Sequence, residues 1–284
     1  MNSPFLCGRF ELALSRPLVM GIVNVTPDSF SDGGQHARLD SAVAHAQRLV
    51  AEGADMLDIG GESTRPGSAS VPEDEELRRV VPLIEALVGL KVPLSVDTCK
   101  PGVMRAALHA GADMINDIMA LQAEGALAVA QANPASGLCI MHMQGEPRTM
   151  QQAPVYDDVV EDVAAFLRTR ISVLRSAGID PRRIVLDPGF GFGKTVEQNY
   201  RLLRELPRFG EIGLPILAGM SRKSMIGALT GRQPADRVAG SVAAALASVA
   251  RGASIVRVHD VAQTVDALKV WHAVESPSFF QEHA

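Results

Sequence analysis

One local pattern, met three times, constrains the fold more than any other feature. "GADMLDIG" from Gly53, "GADMINDI" from Gly111 and "GASIVRVHD" from Gly252 share a Gly-Ala pair, a small polar residue and an apolar run that ends in polar groups. A glycine in this place suits the left-handed end of a preceding helix. The apolar run reads as a strand covered on both faces, as in a parallel sheet. Strands of the same character recur in "LVMGIVNV", "VPLSVDT", "GLCIMHM", "RIVLDPG" and "PILAGM", which makes eight. Helical periodicity fills the intervals at 39–52, 75–88, 101–110, 126–132, 157–177, 197–206, 235–251 and 261–273. Eight alternating strand–helix units predict an α/β fold, a (β/α)8 TIM barrel, with a doubly wound open sheet as the alternative.

No Gly/Ser linker or like-charge run divides the 284 residues, so a single domain over 1–284 is expected. Apolar residues at 47% with only 4% aromatics suit aliphatic packing of helices on a sheet. A net charge of −5 argues against nucleic-acid or membrane-surface binding. No apolar run is long enough to span a bilayer. The charged N-terminal stretch does not read as a signal peptide, so a cytoplasmic protein is expected. Cys7, Cys99 and Cys139 have no paired spacing and read as reduced thiols.

The stretch "IVLDPGFGFGKT", Ile184 to Thr195, imitates a phosphate-binding P-loop. That motif needs a glycine five residues before the one preceding lysine, and counting back from Gly193 gives Pro188. The imitation fails there. Lys194-Thr195 instead reads as the start of the next helix.

Barrel enzymes carry their chemistry at the C-terminal ends of the strands. Those ends here supply Asn24, Asp58, Asp97, Asn116, His142, Asp187, the Ser221-Arg222-Lys223 turn, Arg257 and His259. A single aspartate after a strand is most often a turn former or helix cap. Residues gathered on one rim carry more weight. Asp97, Asn116 and Asp187 offer acceptors suited to the N–H edge of a heterocycle such as a guanine-like or pterin ring. Arg65, Lys223, Arg257 and His259 are suited to phosphate or carboxylate. His142, between two methionines, reads as a core residue. Two long polar loops, "TPDSFSDGGQHA" and "GGESTRPGSASVPEDE", follow the first two strands, and loops of such length usually serve function.

"MGIVNVTPDSFSDGG" followed by "DIGGESTRPG" resembles the two signature segments of dihydropteroate synthase. The likeness continues through "SVDTCKPGV", "GADMINDI", "MHMQGEPRTMQ", "VLDPGFGFGKT", "GMSRKSMIG" and "VRVHDV", from about Leu18 to Val270. The resemblance implies a barrel that condenses 6-hydroxymethyl-7,8-dihydropterin diphosphate with p-aminobenzoate, releasing pyrophosphate, on the folate pathway. It implies Mg2+ as cofactor, with Asn24 at the metal. Catalytic roles would fall to Asp32, Asp97, Asp187 and Lys223, and the pterin to Asp97, Asn116, Asp187 and Lys223. The diphosphate would meet Asn24, Thr64, Arg257 and His259. The p-aminobenzoate, which sulfonamides mimic, would lie near Arg65, Pro66, Phe192, Ser221 and Lys223. Phe30 and Asp32 would belong to a first loop that closes over the site. Relatives are commonly homodimers. Cys99 and Met119 depart from the usual family pattern at positions with no assigned role. A pterin-dependent methyltransferase would not need the first loop or the Arg-x-His pair, and a non-catalytic homologue would have lost parts of both loops.

Overall fold

The repeated glycines do end helices. Gly53, Gly111 and Gly252 have φ of 100°, 111° and 95°, in the left-handed region that favours glycine. After each, the alanine N–H reaches back five residues: Ala54 to Leu49 at 2.9 Å, Ala112 to Ala107 at 2.9 Å and Ala253 to Ser248 at 3.0 Å. These are Schellman closures, which satisfy a helix-end carbonyl and turn the chain into the next strand. The computed structural model describes residues 3–25, 35–63, 70–145, 149–150 and 154–275.

The strands are β1 (Phe5–Cys7), β2 (Phe10–Leu12), β3 (Leu18–Asn24), β4 (Met56–Gly60), β5 (Leu94–Asp97), β6 (Met114–Asp117), β7 (Gly137–Met141), β8 (Ile184–Asp187), β9 (Leu217–Ala218) and β10 (Ile255–Val258). The helices are α1 (Gln35–Ala51), α2 (Glu73–Leu87), α3 (Pro101–Ala110), α4 (Ala126–Ala132), α5 (Val159–Ser176), α6 (Val196–Arg204), α7 (Pro207–Gly210), α8 (Ser224–Thr230), α9 (Val238–Val249) and α10 (Val261–Glu275).

Strands β3 to β10 form one parallel sheet in the order β8-β7-β6-β5-β4-β3-β10-β9. Its two ends meet: Leu186 bridges Ile216 in parallel, and its N–H bonds to the Pro215 carbonyl at 2.8 Å. That contact decides between barrel and open sheet in favour of the (β/α)8 barrel. Outward residues such as Leu57, Ile59, Val96, Ile115, Leu138, Ile140 and Leu186 pack under the helices in the main core. Inward residues alternate with them, as the period of two requires.

The lower half of the interior is apolar. Met20, Met56, Met114, Cys139, Val185, Leu217 and Ile255 meet Phe5 and Cys7 of the β1–β2 hairpin, which closes that end. The hairpin is tied down by Arg9, whose Nε and Nη2 donate to the buried Asp113 carboxylate at 2.9 and 2.8 Å. A side chain at Gly137 would run into Phe5, so the close approach there requires glycine. This hairpin, α7 and α8 were not among the elements expected from sequence.

Candidate active site

At the upper end of the same strands the interior becomes polar. Asp97 pairs in register with Gly60 on one side and Asn116 on the other, while Gly60 also pairs with Asn24. Inward-facing Asp58, Asp97, Asn116, Asp187 and Arg257 therefore crown one floor. Arg257 lies across it, its Nε donating to Asp58 Oδ2 at 2.5 Å and its Nη2 to Asp97 Oδ2 at 2.7 Å. Asn116 Nδ2 donates to the same Asp58 oxygen at 3.0 Å. Asp58 thus organises two candidate binding residues, a part the sequence placed at the rim without a role.

Burial and charge set the protonation of this floor. Burial acts to weaken the Arg257 cation, but Asp58 and Asp97 outweigh it and hold the guanidinium more firmly protonated than usual. Burial raises the Asp97 carboxyl above the usual range, opposed by Arg257 and reinforced by Asp58. Asp187 is raised by burial as well, against Lys223, the Gly189 N–H and Lys194. Lys223 is pushed down to about 8 by burial, with Asp187 opposing. It keeps its proton at neutral pH.

The loop after β8 forms a second wall. Asp187 Oδ1 accepts the Gly189 N–H at 2.7 Å. Gly189 has φ of 74°, and a Cβ there would collide with the His142 carbonyl. Lys223 Nζ donates to the Phe190 carbonyl at 2.5 Å and stands 4.5 Å from the centroid of the Phe192 ring. That is cation–π distance. The Lys223 stem also lies so near Gly191 that a Cβ would come within 3.0 Å of its Cδ.

On the remaining side, Ser221 Oγ accepts the His259 N–H at 3.1 Å and lies 3.1 Å from His259 Nδ1. Arg222, at φ of 59°, turns away to Asp260 through Nε at 3.0 Å and Nη2 at 2.5 Å. A cavity of about 760 Å3 opens beside Asn24 and His259, with His45, Arg48 and Arg222 along it. At the base of the second long loop, Lys100 Nζ bonds to both Glu62 and Glu76, and Arg79 donates to the Gly61 carbonyl at 2.8 Å.

The structure therefore gathers Asp97, Asn116, Asp187 and Arg257 on the floor, Lys223 and Phe192 on one wall, and Ser221 and His259 on another. Asn24 faces the floor across Gly60. Phe30, Asp32, Thr64, Arg65 and Pro66 lie outside the described residues. His142 is buried, its ring edge-on to Phe166 at 5.0 Å, in keeping with a core histidine. Cys99 is pushed up to about 12 by burial, and Met119 is exposed. Lys194 departs from its expected place at a helix start. It is buried, and the helix cap belongs to Thr195 alone, which forms a capping box with Gln198. Only its setting in a glycine run hinted at this.

A closed (β/α)8 barrel with a charged, recessed floor at the strand C-termini defines a barrel enzyme for a small ligand. The family described as pterin binding enzyme matches residues 20–259. The dihydropteroate synthase of Neisseria meningitidis serogroup B is 55% identical over 273 residues, covering 94% of this chain and 96% of its own. The Xanthomonas albilineans dihydropteroate synthase solved with 4-aminobenzoic acid superposes with a TM-score of 0.92 at 57% identity, covering 97% of this chain and 99% of that one. The Burkholderia cenocepacia dihydropteroate synthase complexed with 7,8-dihydropteroate gives 0.88 at 58% identity, over 96% of this chain and 97% of that one. The chain belongs to the dihydropteroate synthases, transferases of folate biosynthesis within the pterin-binding enzymes.

Proposed function

We propose that this chain, acting as one pterin-binding barrel over its whole length, joins 6-hydroxymethyl-7,8-dihydropterin diphosphate to p-aminobenzoate. The products are 7,8-dihydropteroate and pyrophosphate. The observation that carries the reading is the arrangement around one recessed cation, Arg257: Asp97 bonds to it, Asn116 shares its partner Asp58, and its charge reaches Asp187. Carboxylate and amide oxygens meet the N–H edge of the pterin, and the cation stands where the ring gives way to its anionic substituent.

The C–O bond to the diphosphate breaks with both electrons leaving on the diphosphate. Arg257 and His259 stabilise that charge as it develops. The exocyclic carbon left behind is positive, and its charge spreads into the electron-rich ring, eased by Asp97 and Asp187. The amine of p-aminobenzoate forms the C–N bond and then loses a proton. Its anilinium is acidic, so it needs little general-base help and passes the proton to the released diphosphate. Lys223 and Ser221 hold the p-aminobenzoate side, with the Phe192 ring as its wall. Thr64, Arg65, Pro66 and Asp32 complete the site from the two long loops, which exclude water that would otherwise capture the cation.

A magnesium ion fits this donor set. Mg2+ prefers one or two protein oxygens completed by water and substrate phosphates. Asn24 offers such an oxygen: it is half-buried and lines the cavity beside His259. Among the described residues no group of three or more His, Cys, Asp or Glu side chains is placed to hold a metal unaided. When bound beside Asn24, Mg2+ supplies charge neutralisation for the departing diphosphate. We also propose a homodimer, as the family resemblance implies, working in the cytoplasm.

The test is pyrophosphate release from the pterin diphosphate, with and without p-aminobenzoate. Release that depends on both substrates supports the reaction, and its absence rejects it. Arg257→Ala separates the subsites. It should weaken binding of the pterin diphosphate at least about tenfold more than binding of the pterin without phosphates, since bonds to charged groups contribute about 1.5–3 kcal/mol. Equal losses would make the residue structural.

A further inference from the structure

We infer that Lys194 is a positioning residue, whose buried Nζ gathers two rim loops into one knot and so fixes the Asp187 carboxylate and the Phe192 ring. Nζ lies 2.9 Å from the Gly189 carbonyl oxygen, 2.9 Å from that of Phe192 and 3.3 Å from that of His142. It lies 3.0 Å from His142 Nδ1. Burial pushes the His142 ring down to about 3, so it is neutral and its Nδ1 accepts. Every acceptor is therefore neutral. Burial pulls Lys194 down to about 7, so below that pH it is an ammonium dissolved in loop carbonyls as an ion is in water.

The loops cannot substitute for it. Gly189 and Gly193 have φ of 74° and 60°, and a Cβ at either would collide with carbonyls of His142 and Gln144. The two segments, 142–144 after β7 and 189–193 after β8, thus meet backbone to backbone. Such an approach leaves carbonyl dipoles facing one another, and a single buried cation between them reverses the repulsion. Asn199 extends the knot by accepting the Gly191 N–H at 2.6 Å and donating to the Lys194 carbonyl at 3.2 Å. Tyr156 closes it with a 2.8 Å bond to the Gly193 carbonyl.

Two effects reach the site. The Gly189 N–H that holds Asp187 and the Phe192 ring that faces Lys223 both belong to the knotted loop. The Lys194 charge also supports the Asp187 carboxylate, alongside Lys223 and Arg257. The neighbouring Cys139 thiol is pushed well up by burial and stays neutral.

The role of the ring rests on the proposed p-aminobenzoate subsite, so the experiment reads the loop separately. Lys194→Met keeps the length and removes donors and charge; Lys194→Gln restores N–H donors without charge. Lys194→Met should raise KM for p-aminobenzoate roughly tenfold or more, because small misplacements of positioning groups are costly. Lys194→Gln should recover part of that. Amide exchange of residues 189–193 should speed up in Lys194→Met. In both variants the acid limb of 6-hydroxymethylpterin binding should move to higher pH by about half a unit or more, since a nearby cation holds a carboxyl down.

A folded Lys194→Met with parent KM values and an unmoved acid limb overturns the inference. So does activity lost only in proportion to folded protein. Should Lys194→Met fail to fold, the acid limb of Lys194→Gln decides, and an unmoved limb overturns it. Failure of the proposed reaction itself would show in the parent as no pyrophosphate. The exchange and pterin-binding arms would still stand.

Discussion

Met56 and Asp58 point into the same barrel, two residues apart on one strand, and belong to different worlds. Met56 lies in a hydrocarbon layer with Met20, Met114 and Phe5; Asp58 holds Arg257 and Asn116. Apart from Ser95, the inward residues of that lower layer are apolar or a neutral thiol, and the end is shut by a hairpin. The upper layer collects carboxylates and cations whose burial is costly. The lower half stabilises the barrel, and the upper half draws on that stability to hold charges out of water. The same strand pleat and register serve both.

The largest separation of the two halves is expected from Asp187→Asn. Pterin affinity should fall about 100-fold, the scale of losing hydrogen bonds to a charged group. The thermal midpoint should stay within a few degrees, because asparagine keeps an oxygen for the Gly189 N–H. Calorimetric titration with a pterin analogue and a melting curve read the two effects. A large fall in the midpoint would erase the division.

Phe5→Ala is the converse. Truncating a fully buried aromatic should cost about 3–5 kcal/mol in urea unfolding. Turnover per folded molecule should match the parent at 25 °C. A fall in turnover would mean that the plug and the rim are mechanically coupled.

A smaller divergence is expected in pH. Lys223 and Lys194 are pushed from 10.5 to about 8 and about 7, with burial as the main cause. Below these values both folded and unfolded chains hold the protons, and the full burial penalty applies. Between about 8 and 10.5 the unfolded chain holds more protons than the folded one, so the contribution of Lys223 to stability rises with pH. Any stability advantage of Lys223→Met over the parent should therefore shrink across that window, while parent kcat/KM falls as Lys223 loses its charge. Parallel urea titrations and rate profiles test both signs.

The smallest effect is expected from Thr195→Ala. Loss of the α6 cap should cost about 1 kcal/mol and leave KM for both substrates unchanged. A KM change would place Thr195, like Lys194, in the rim machinery.

The barrel was legible because burial on both strand faces and the glycine helix ends are both local in sequence. Helices at 101–110 and 126–132 begin and end where the periodicity puts them. The helix expected from 157 starts at Val159 because Asp158 caps it, its carboxylate accepting from Val160 and Glu161. The helix expected from 235 starts at Val238, after a 3-10 turn at Pro234–Asp236. Helix α8 and the β1–β2 hairpin were missed because both are short, and the hairpin owes its existence to distant partners such as Asp113 and Gly137. At the site, Asp97, Asn116, Asp187, Lys223 and Arg257 were legible as polar ends of apolar runs. The roles of Asp58 and Lys194 were not, because each depends on what a side chain meets after closure: Asp58 meets Arg257, 199 residues away, and Lys194 meets His142, 52 residues away.

The hairpin that shuts the lower end also sets a timetable. Phe5 and Arg9 are made before their partners: Arg9 docks on Asp113, 104 residues later, and Gly8 on the Ala135 carbonyl. Strand β3 has its neighbour β4 soon after synthesis, yet its other edge waits for β10. Until Ile255–Val258 emerges, the nascent chain carries an open parallel sheet with an unpaired edge and an unclosed apolar bore. Contacts of such long range are slow to form, and exposed edges and apolar surface are where growing chains aggregate. Weakening β10 or the plug should therefore reduce the yield of protein made in cells before it alters the finished enzyme.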